Sequence, residues 1–425
     1  MKTLIKNGLL LDPANNINEQ YDLLINDDLI DLIDKNIDES RADKVIDAKG
    51  CFVMPGFIDL HVHLREPGYE HKETIETGVK AAARGGFTTI CAMPNTSPVV
   101  DCKEVVLQIQ NKANKLNSVN VLQIGAVTKG QKGEELADIE GMIECNIPAI
   151  SEDGKSVMNS NLYREAMKIA AKNNIPVFAH CEDINLVNGG VMNADDNAKR
   201  LSMRGISNAV EDIIVARDIL LAKETNARLH LCHCSTKDSV VMIEQAKKEG
   251  LKVSAEVCPH HFCLTSDDIK TDDANYKMNP PLRTKADVLA LIDGLKNGII
   301  DCIATDHAPH HADEKAQSMN KAPFGIVGLE TAAALTYTKL VKTNILTPLQ
   351  MAEKMSYNPA KVLGIDKGNL AKSKVADIVI FDPECEYNID VNTFESKGKN
   401  TPFDGWRVNG KVKFTLVAGK IVYKE

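Results

Sequence analysis

Between residues 55 and 364 the chain repeats one unit: a short apolar, β-branched run followed by a longer helix-compatible stretch. Eight such runs can be counted. They are G-F-I-D-L-H-V-H-L near 56–64, F-T-T-I-C-A-M near 87–93, V-N-V-L-Q-I-G-A-V near 119–127 and I-P-A-I-S near 147–151. The others are P-V-F-A-H near 176–180, R-L-H-L-C-H near 228–233, K-V-S-A-E-V near 252–257 and D-C-I-A-T-D near 301–306. Parallel strands need crossover connections, so strand–helix alternation predicts a parallel sheet. Eight units fit an α/β fold of the (β/α)8 TIM-type barrel class, whose chemistry sits at the C-terminal strand ends. A doubly wound open sheet is the alternative. No G-x-G-x-x-G follows the first run, which disfavours it.

The two ends of the chain read differently. T-L-I-K, L-L-L-D, Y-D-L-L-I-N and K-V-I-D-A, in the first fifty or so residues, are short strands separated by Asn, Asp, Pro and Gly. The last sixty residues carry K-V-A-D-I-V-I-F-D-P and G-W-R-V-N-G-K-V-K-F-T-L-V-A-G-K-I-V-Y. Asn409-Gly410 predicts a tight hairpin between strands. Neither end alone can bury a useful core. Residues 1–54 with 365–425 are therefore expected to pair as one small β-sandwich domain, beside a barrel over 55–364.

Composition narrows the function classes. Fifty basic against 59 acidic residues give a net charge of −9, and aromatics are only 4% of the 425 residues. Nucleic acid and anionic membranes call for net positive charge, and single strands for aromatic platforms, so neither is an expected partner. Eleven cysteines, an odd number spread from Cys51 to Cys385, do not form a disulfide framework. The N-terminal residues lack the apolar core of a secretion signal, and no apolar run reaches about eighteen residues. A cytoplasmic protein acting on a small molecule is expected.

Polar residues cluster where a barrel would gather them. His61 and His63 end the first run two residues apart and project to one face. Asp153 follows the fourth run, His180 ends the fifth, His233 the sixth and Asp306 the eighth. These positions converge on one barrel mouth. Four imidazoles and two carboxylates suit Zn²⁺, or a pair of such ions sharing a bridging carboxylate.

Other candidates read as structural. His230 differs in parity from His233 and should point away from the barrel interior. His71 reads as solvated. His260 and His261, in C-P-H-H-F-C, lack the paired C-x-x-C spacing of zinc sites and read as packing at the seventh strand end. Cys232 and Cys234 read as small buried apolar residues. Lys155, two residues beyond Asp153, could be the carboxylated lysine of some binuclear barrels, but Asp153 is favoured and Lys155 reads as surface.

P-G-F-I-D-L-H-V-H-L-R-E-P-G at 55–68 and A-T-D-H-A-P-H-H-A-D-E-K at 304–315 resemble the two hallmark segments of dihydroorotases. The spacing and the flanking β-segments are similar too, so the resemblance covers nearly the whole chain and points to the long bacterial type (class I) of the amidohydrolase superfamily. It implies reversible cyclisation of N-carbamoyl-L-aspartate to (S)-dihydroorotate, the third step of pyrimidine biosynthesis. It implies that His61, His63 and Asp306 hold one zinc, that His180 and His233 hold a second, and that Asp153 bridges them. It further implies that His63, Arg65, Asn95, Asn279, His310 and the Phe324-Gly325 backbone contact substrate. G-I-S-N-A-V-E at 205–211 departs from the family's usual pattern and touches none of these residues.

The residues agree with that chemistry. Opening a cyclic amide needs activated water, a polarised carbonyl and a proton for the leaving nitrogen; a metal ion serves the first two. Asp306 is placed to move the proton. Arg65, just past the first strand, can grip a carboxylate bidentately. The polar segment 311–323 has the composition of a lid or of a surface loop. The rival readings are another cyclic amidohydrolase, such as an allantoinase or dihydropyrimidinase, and a non-catalytic scaffold for aspartate transcarbamoylase. The first would place a carboxylated lysine where Asp153 stands and has less need of Arg65. The second would be expected to lack ligands. A homodimer is the remaining partner expectation, and association with aspartate transcarbamoylase in addition to activity stays open.

Overall fold

The computed structural model describes residues 1–425. Five strands open the chain: β1 (Lys2–Asp12), β2 (Ile17–Asn26), β3 (Leu29–Asp34), β4 (Lys44–Asp47) and β5 (Phe52–Pro55). β1 joins the T-L-I-K and L-L-L-D runs, with its register shifting between Ile5 and Gly8. That shift splits its partners: Thr3–Lys6 pair with β4 and Leu9–Leu10 with β5. The sheet forks there and folds over a core of Ile5, Leu10, Leu23, Ile25, Val53 and Ile380.

The barrel follows, with β6 (Phe57–Val62), β7 (Phe87–Ala92), β8 (Asn120–Gln123), β9 (Gly125–Ala126), β10 (Ile150–Ser151) and β11 (Pro176–Ala179). A small parallel pair, β12 (Met192–Asn193) and β13 (Gly205–Ile206), interrupts it before β14 (Arg228–Leu231), β15 (Val253–Val257) and β16 (Cys302–Ile303). β8 and β9 are two pieces of the third run. Hydrogen bonds from Ile124 to Ala92 and from Gly125 to Ala149 carry pairing across the break. The ring closes where Val62 bridges His307 and the His63 N–H donates to the His307 carbonyl (2.8 Å). All eight runs therefore lie in one parallel barrel. β6 and β7 are buried at every position, as strands covered on both faces must be. Thr74 and Thr284 start the helices Ile75–Arg84 and Lys285–Lys296 with capping boxes.

After the barrel come β17 (Ile378–Asn388), β18 (Arg407–Val417) and β19 (Lys420–Lys424), with β17 pairing antiparallel to β5. The hairpin expected at Asn409-Gly410 is absent. Both residues lie inside β18, where the pairing with β17 shifts between Asp382 and Glu386. Gly410 uses φ +89° at this irregularity, and a Cβ there would lie 2.2 Å from the Phe381 ring. The tight turn is at Ala418 and Gly419, both with positive φ, joining β18 to β19.

Candidate metal and active site

Every residue singled out for chemistry stands at or beyond the C-terminal end of a barrel strand. His61 is in β6, and His63 and Arg65 follow it; Asn95 follows β7, Asp153 β10, His180 β11, His233 β14 and Asp306 β16. One cavity of about 190 Å³ is lined by His63, Arg65, Asn95, Asp153, His180, His233, Asn279, Asp306, His310, Phe324 and Gly325, together with Gly154 and Ala308. His61 lies beneath it, fully buried.

Asp153 is at the centre of the four histidines. Its Oδ1 lies 3.2 Å from His61 Nε2, 3.2 Å from His180 Nδ1 and 3.5 Å from His233 Nε2. Its Oδ2 lies 3.4 Å from His63 Nε2. Asp306 Oδ1 is 3.1 Å from His63 Nε2 and 3.6 Å from His61 Nε2. Burial alone would raise both acids, but the surrounding imidazoles hold each well below the usual carboxylate range. Burial pulls His180 down, yet Asp153 and Glu182 together lift it to about 10.

The donor set fits a cation. His61 Nε2 is buried, faces two carboxylates and makes no hydrogen bond. An orphaned ring nitrogen in that position is costly unless something else occupies it. The groups His61–His63–Asp306 and His61–Asp153–His233 each bring their ligand atoms within 4.8 Å of one another. Borderline nitrogen and hard oxygen donors suit zinc or a similar divalent ion.

Second contacts set the ring orientations. His63 Nδ1 lies 2.9 Å from Asn95 Oδ1, so the side-chain carbonyl of Asn95 accepts the proton and Nε2 is left to face Asp306. Asn279 Nδ2 donates to Glu182 (2.8 Å), whose other oxygen meets His180 Nε2 at 3.3 Å. Arg65 donates from Nε to the Pro309 carbonyl (3.2 Å). His310 donates from Nε2 to the Phe324 carbonyl (2.7 Å) and its Nδ1 accepts from Lys72 (3.4 Å). Gly325 is at φ +129°, where a Cβ would sit 2.7 Å from Ala308 Cβ. Arg65, His233 and Asp306 all have positive φ, backbone conformations uncommon for such residues outside functional sites.

His230 corrects the strand-parity reading. It points into the barrel, fully buried, against Glu256 (3.0 Å) and Ser254 (2.8 Å). β14 stops at Leu231 and His233 turns to φ +34°, so alternation does not carry from one histidine to the other. His71 is exposed. His260 and His261 are buried in the short helix Pro259–Cys263 that follows β15, with His261 Nε2 donating to the Pro280 carbonyl (3.0 Å). Cys232 and Cys234 are buried, their thiols pushed well up by burial. Lys155 is exposed and donates to the Gln131 carbonyl (3.0 Å). Segment 311–323 is tied down rather than free. Lys315 is buried and donates to the carbonyls of Lys277, Pro323 and Gly325 at 3.2, 3.1 and 2.9 Å. Sequence reasoning missed Glu182, Glu256 and Lys72. Only the position of Glu182, two residues past His180, hinted at a role.

A family model described as dihydro-orotase-like matches residues 50–239. The dihydroorotase of Acetivibrio thermocellus is 50% identical over 422 residues, covering 99% of both chains. That of Bacillus thuringiensis is 49% identical, covering 100% of this chain and 99% of its own. Among solved structures, the L-hydantoinase (dihydropyrimidinase) of Arthrobacter aurescens superposes with TM-score 0.88 at 27% identity, covering 99% of this chain and 96% of that one. The D-hydantoinase (dihydropyrimidinase) of a Thermus species gives 0.84 at 28% identity, covering 99% and 94%. Identity near one half along the whole length, on the barrel-plus-β-sandwich fold of the cyclic amidohydrolases, places the chain in the dihydroorotase family.

Proposed function

We propose that the chain closes N-carbamoyl-L-aspartate to (S)-dihydroorotate and reopens it, using two zinc ions per subunit bridged by Asp153. In this reading His61, His63 and Asp306 hold one ion, and His180 and His233 the other. A bound ion would make water acidic and draw charge from the carbonyl under attack. Asp306 takes the proton from water during ring opening and hands it to the leaving nitrogen; cyclisation runs the same transfer backwards. Arg65 pairs with the substrate α-carboxylate. Asn95 has its side-chain oxygen committed to His63, which leaves its NH₂ to donate into the cavity. Neutral His310, Asn279 and the Phe324-Gly325 backbone complete the binding surface.

The observation that carries this reading is the guanidinium of Arg65 in the same cavity as Asp153, Asp306 and three of the four proposed histidine ligands, His63, His180 and His233. A neutral hydantoin or dihydropyrimidine offers that cation no partner; dihydroorotate does. The deciding experiment measures bound metal alongside carbamoyl-aspartate cyclisation, with hydantoin and dihydrouracil as rival substrates. Faster turnover of either rival would overturn the assignment.

The organisation proposed with it is a small β-domain of 1–54 with 365–425 and a barrel over 55–364, in a cytoplasmic homodimer. Ile213 and Leu220 on one barrel helix, with Val241 and Leu289 on the next two, are exposed and support self-association. No helix is long and apolar enough to cross a membrane.

A further inference from the structure

Below the cavity the barrel interior holds a carboxylate that the proposed chemistry does not use. Glu256, in β15, is 0% exposed and does not line the cavity. Its Oε1 lies 3.2 Å from His61 Nδ1 and accepts, at 3.4 Å, from the backbone N–H of His233. Its Oε2 lies 3.0 Å from His230 Nε2, and His230 Nδ1 lies 2.8 Å from the Ser254 hydroxyl. β14 and β15 pair in a register that sets His230 beside Ser254, so this chain is built into the parallel sheet. His230 also packs on Phe178, with ring centroids 4.8 Å apart.

An ionised carboxylate accepts and cannot donate, so both imidazole nitrogens that face Glu256 carry protons. A neutral His61 protonated at Nδ1 has its lone pair on Nε2. Nε2 is the nitrogen aimed at Asp153 and Asp306, and it has no hydrogen bond. We propose that Glu256 is a positioning residue, holding His61 in the tautomer and orientation that offers Nε2 to a cation, while His230 and Ser254 anchor it from below. Burying a carboxylate for packing alone would be a poor use of the position, since an apolar residue fills a barrel at lower cost. Two imidazole N–H groups and a peptide N–H converging on it make the burial tolerable and fix its direction. The proposal rests on the metal reading of the site above it.

The test compares the wild-type chain with Glu256→Gln by zinc competition against a chelator, steady-state kinetics and ¹⁵N-histidine NMR. Gln keeps the shape but can accept through only one atom. The variant should keep the wild-type circular dichroism spectrum and bind zinc about 10–100-fold more weakly. Its kcat should fall while KM stays, because Glu256 touches no substrate. In the wild-type spectrum the nitrogens that face Glu256, Nδ1 of His61 and Nε2 of His230, should carry protons, a measurement that holds even if the variant does not fold. Wild-type zinc affinity in a folded Glu256→Gln protein, or a wild-type His61 without a proton at Nδ1, would overturn the proposal. A wild-type chain that binds no zinc would instead sink the metal reading, and Glu256's purpose with it.

Discussion

Nε2 of His63 and Oδ1 of Asp306 lie 3.1 Å apart although 243 residues separate them along the chain. Barrel closure makes that contact: β6 and the segment after β16 are neighbours only because the first and last units meet. The first prediction follows from this dependence on the whole ring. Exhaustive chelation should abolish turnover, and added zinc should restore it. His180→Ala and His233→Ala should each lose metal and activity together, read as metal per chain. Ligand imidazoles must shed protons to bind a cation, so zinc affinity should fall as pH is lowered. Full activity in the chelated protein would end the metal reading.

Arg65 gives a second prediction, on specificity. The guanidinium already donates to Pro309, so its substitution has a structural component as well as a binding one. Arg65→Met should leave the metal content intact and lower kcat/KM for dihydroorotate by a factor equivalent to about 2–5 kcal/mol of activation free energy, the cost of stranding a buried charge partner. A cyclic imide without the carboxylate separates the two components. Equal losses on both substrates would assign Arg65 to holding the loop.

A third prediction concerns acid stability. Burial, then the Arg65 and Lys72 cations, push His310 down to about 2. In the unfolded chain its ordinary value is 6.5, so between these limits the unfolded state holds the extra proton. Stability therefore drops as pH falls from 6.5, by at most about 1.4 kcal/mol per pH unit from this residue. His310→Gln removes the titrating group. The loss of unfolding free energy between pH 7 and pH 5, from denaturant curves, should shrink by about 1–2 kcal/mol in the variant. An identical loss in both proteins would mean that His310 titrates normally in the folded state.

What could be read from the sequence followed burial and periodicity. The barrel strands are mostly apolar because helices cover one face and the barrel core the other, so their eight runs stood out. His61, His63, His180, His233 and Asp306 stood out because they end those runs, and Asp153 because it follows one. Glu256 and Glu182 did not, since an acid in a strand or loop looks like a solvent-facing residue until its imidazole partners are known. His230 was misread because strand alternation was carried past the point where β14 ends and the backbone turns at His233. Asn409-Gly410 has the residue types of a hairpin, but the positive φ that glycine supplies serves equally for an irregularity inside a strand.

The last prediction concerns the proton that Asp306 is proposed to move. Cyclisation turns a dianionic carbamoyl aspartate into a monoanionic dihydroorotate and consumes one proton. The equilibrium must therefore favour closure in acid and opening in base. A single shuttle starts one direction protonated and the other ionised. The hydrolytic rate should then rise with pH while the biosynthetic rate falls. Asp306 is held down by the imidazoles beside it, His63 foremost, so the apparent pKa belongs to the cluster and not to Asp306 alone. Asp306→Asn keeps the shape without the proton-carrying oxygen, and both rates should collapse together while Asp153 and the remaining histidines still retain metal. Rates that respond to pH in the same sense, or an Asn variant that turns over normally in either direction, would mean that another group carries the proton.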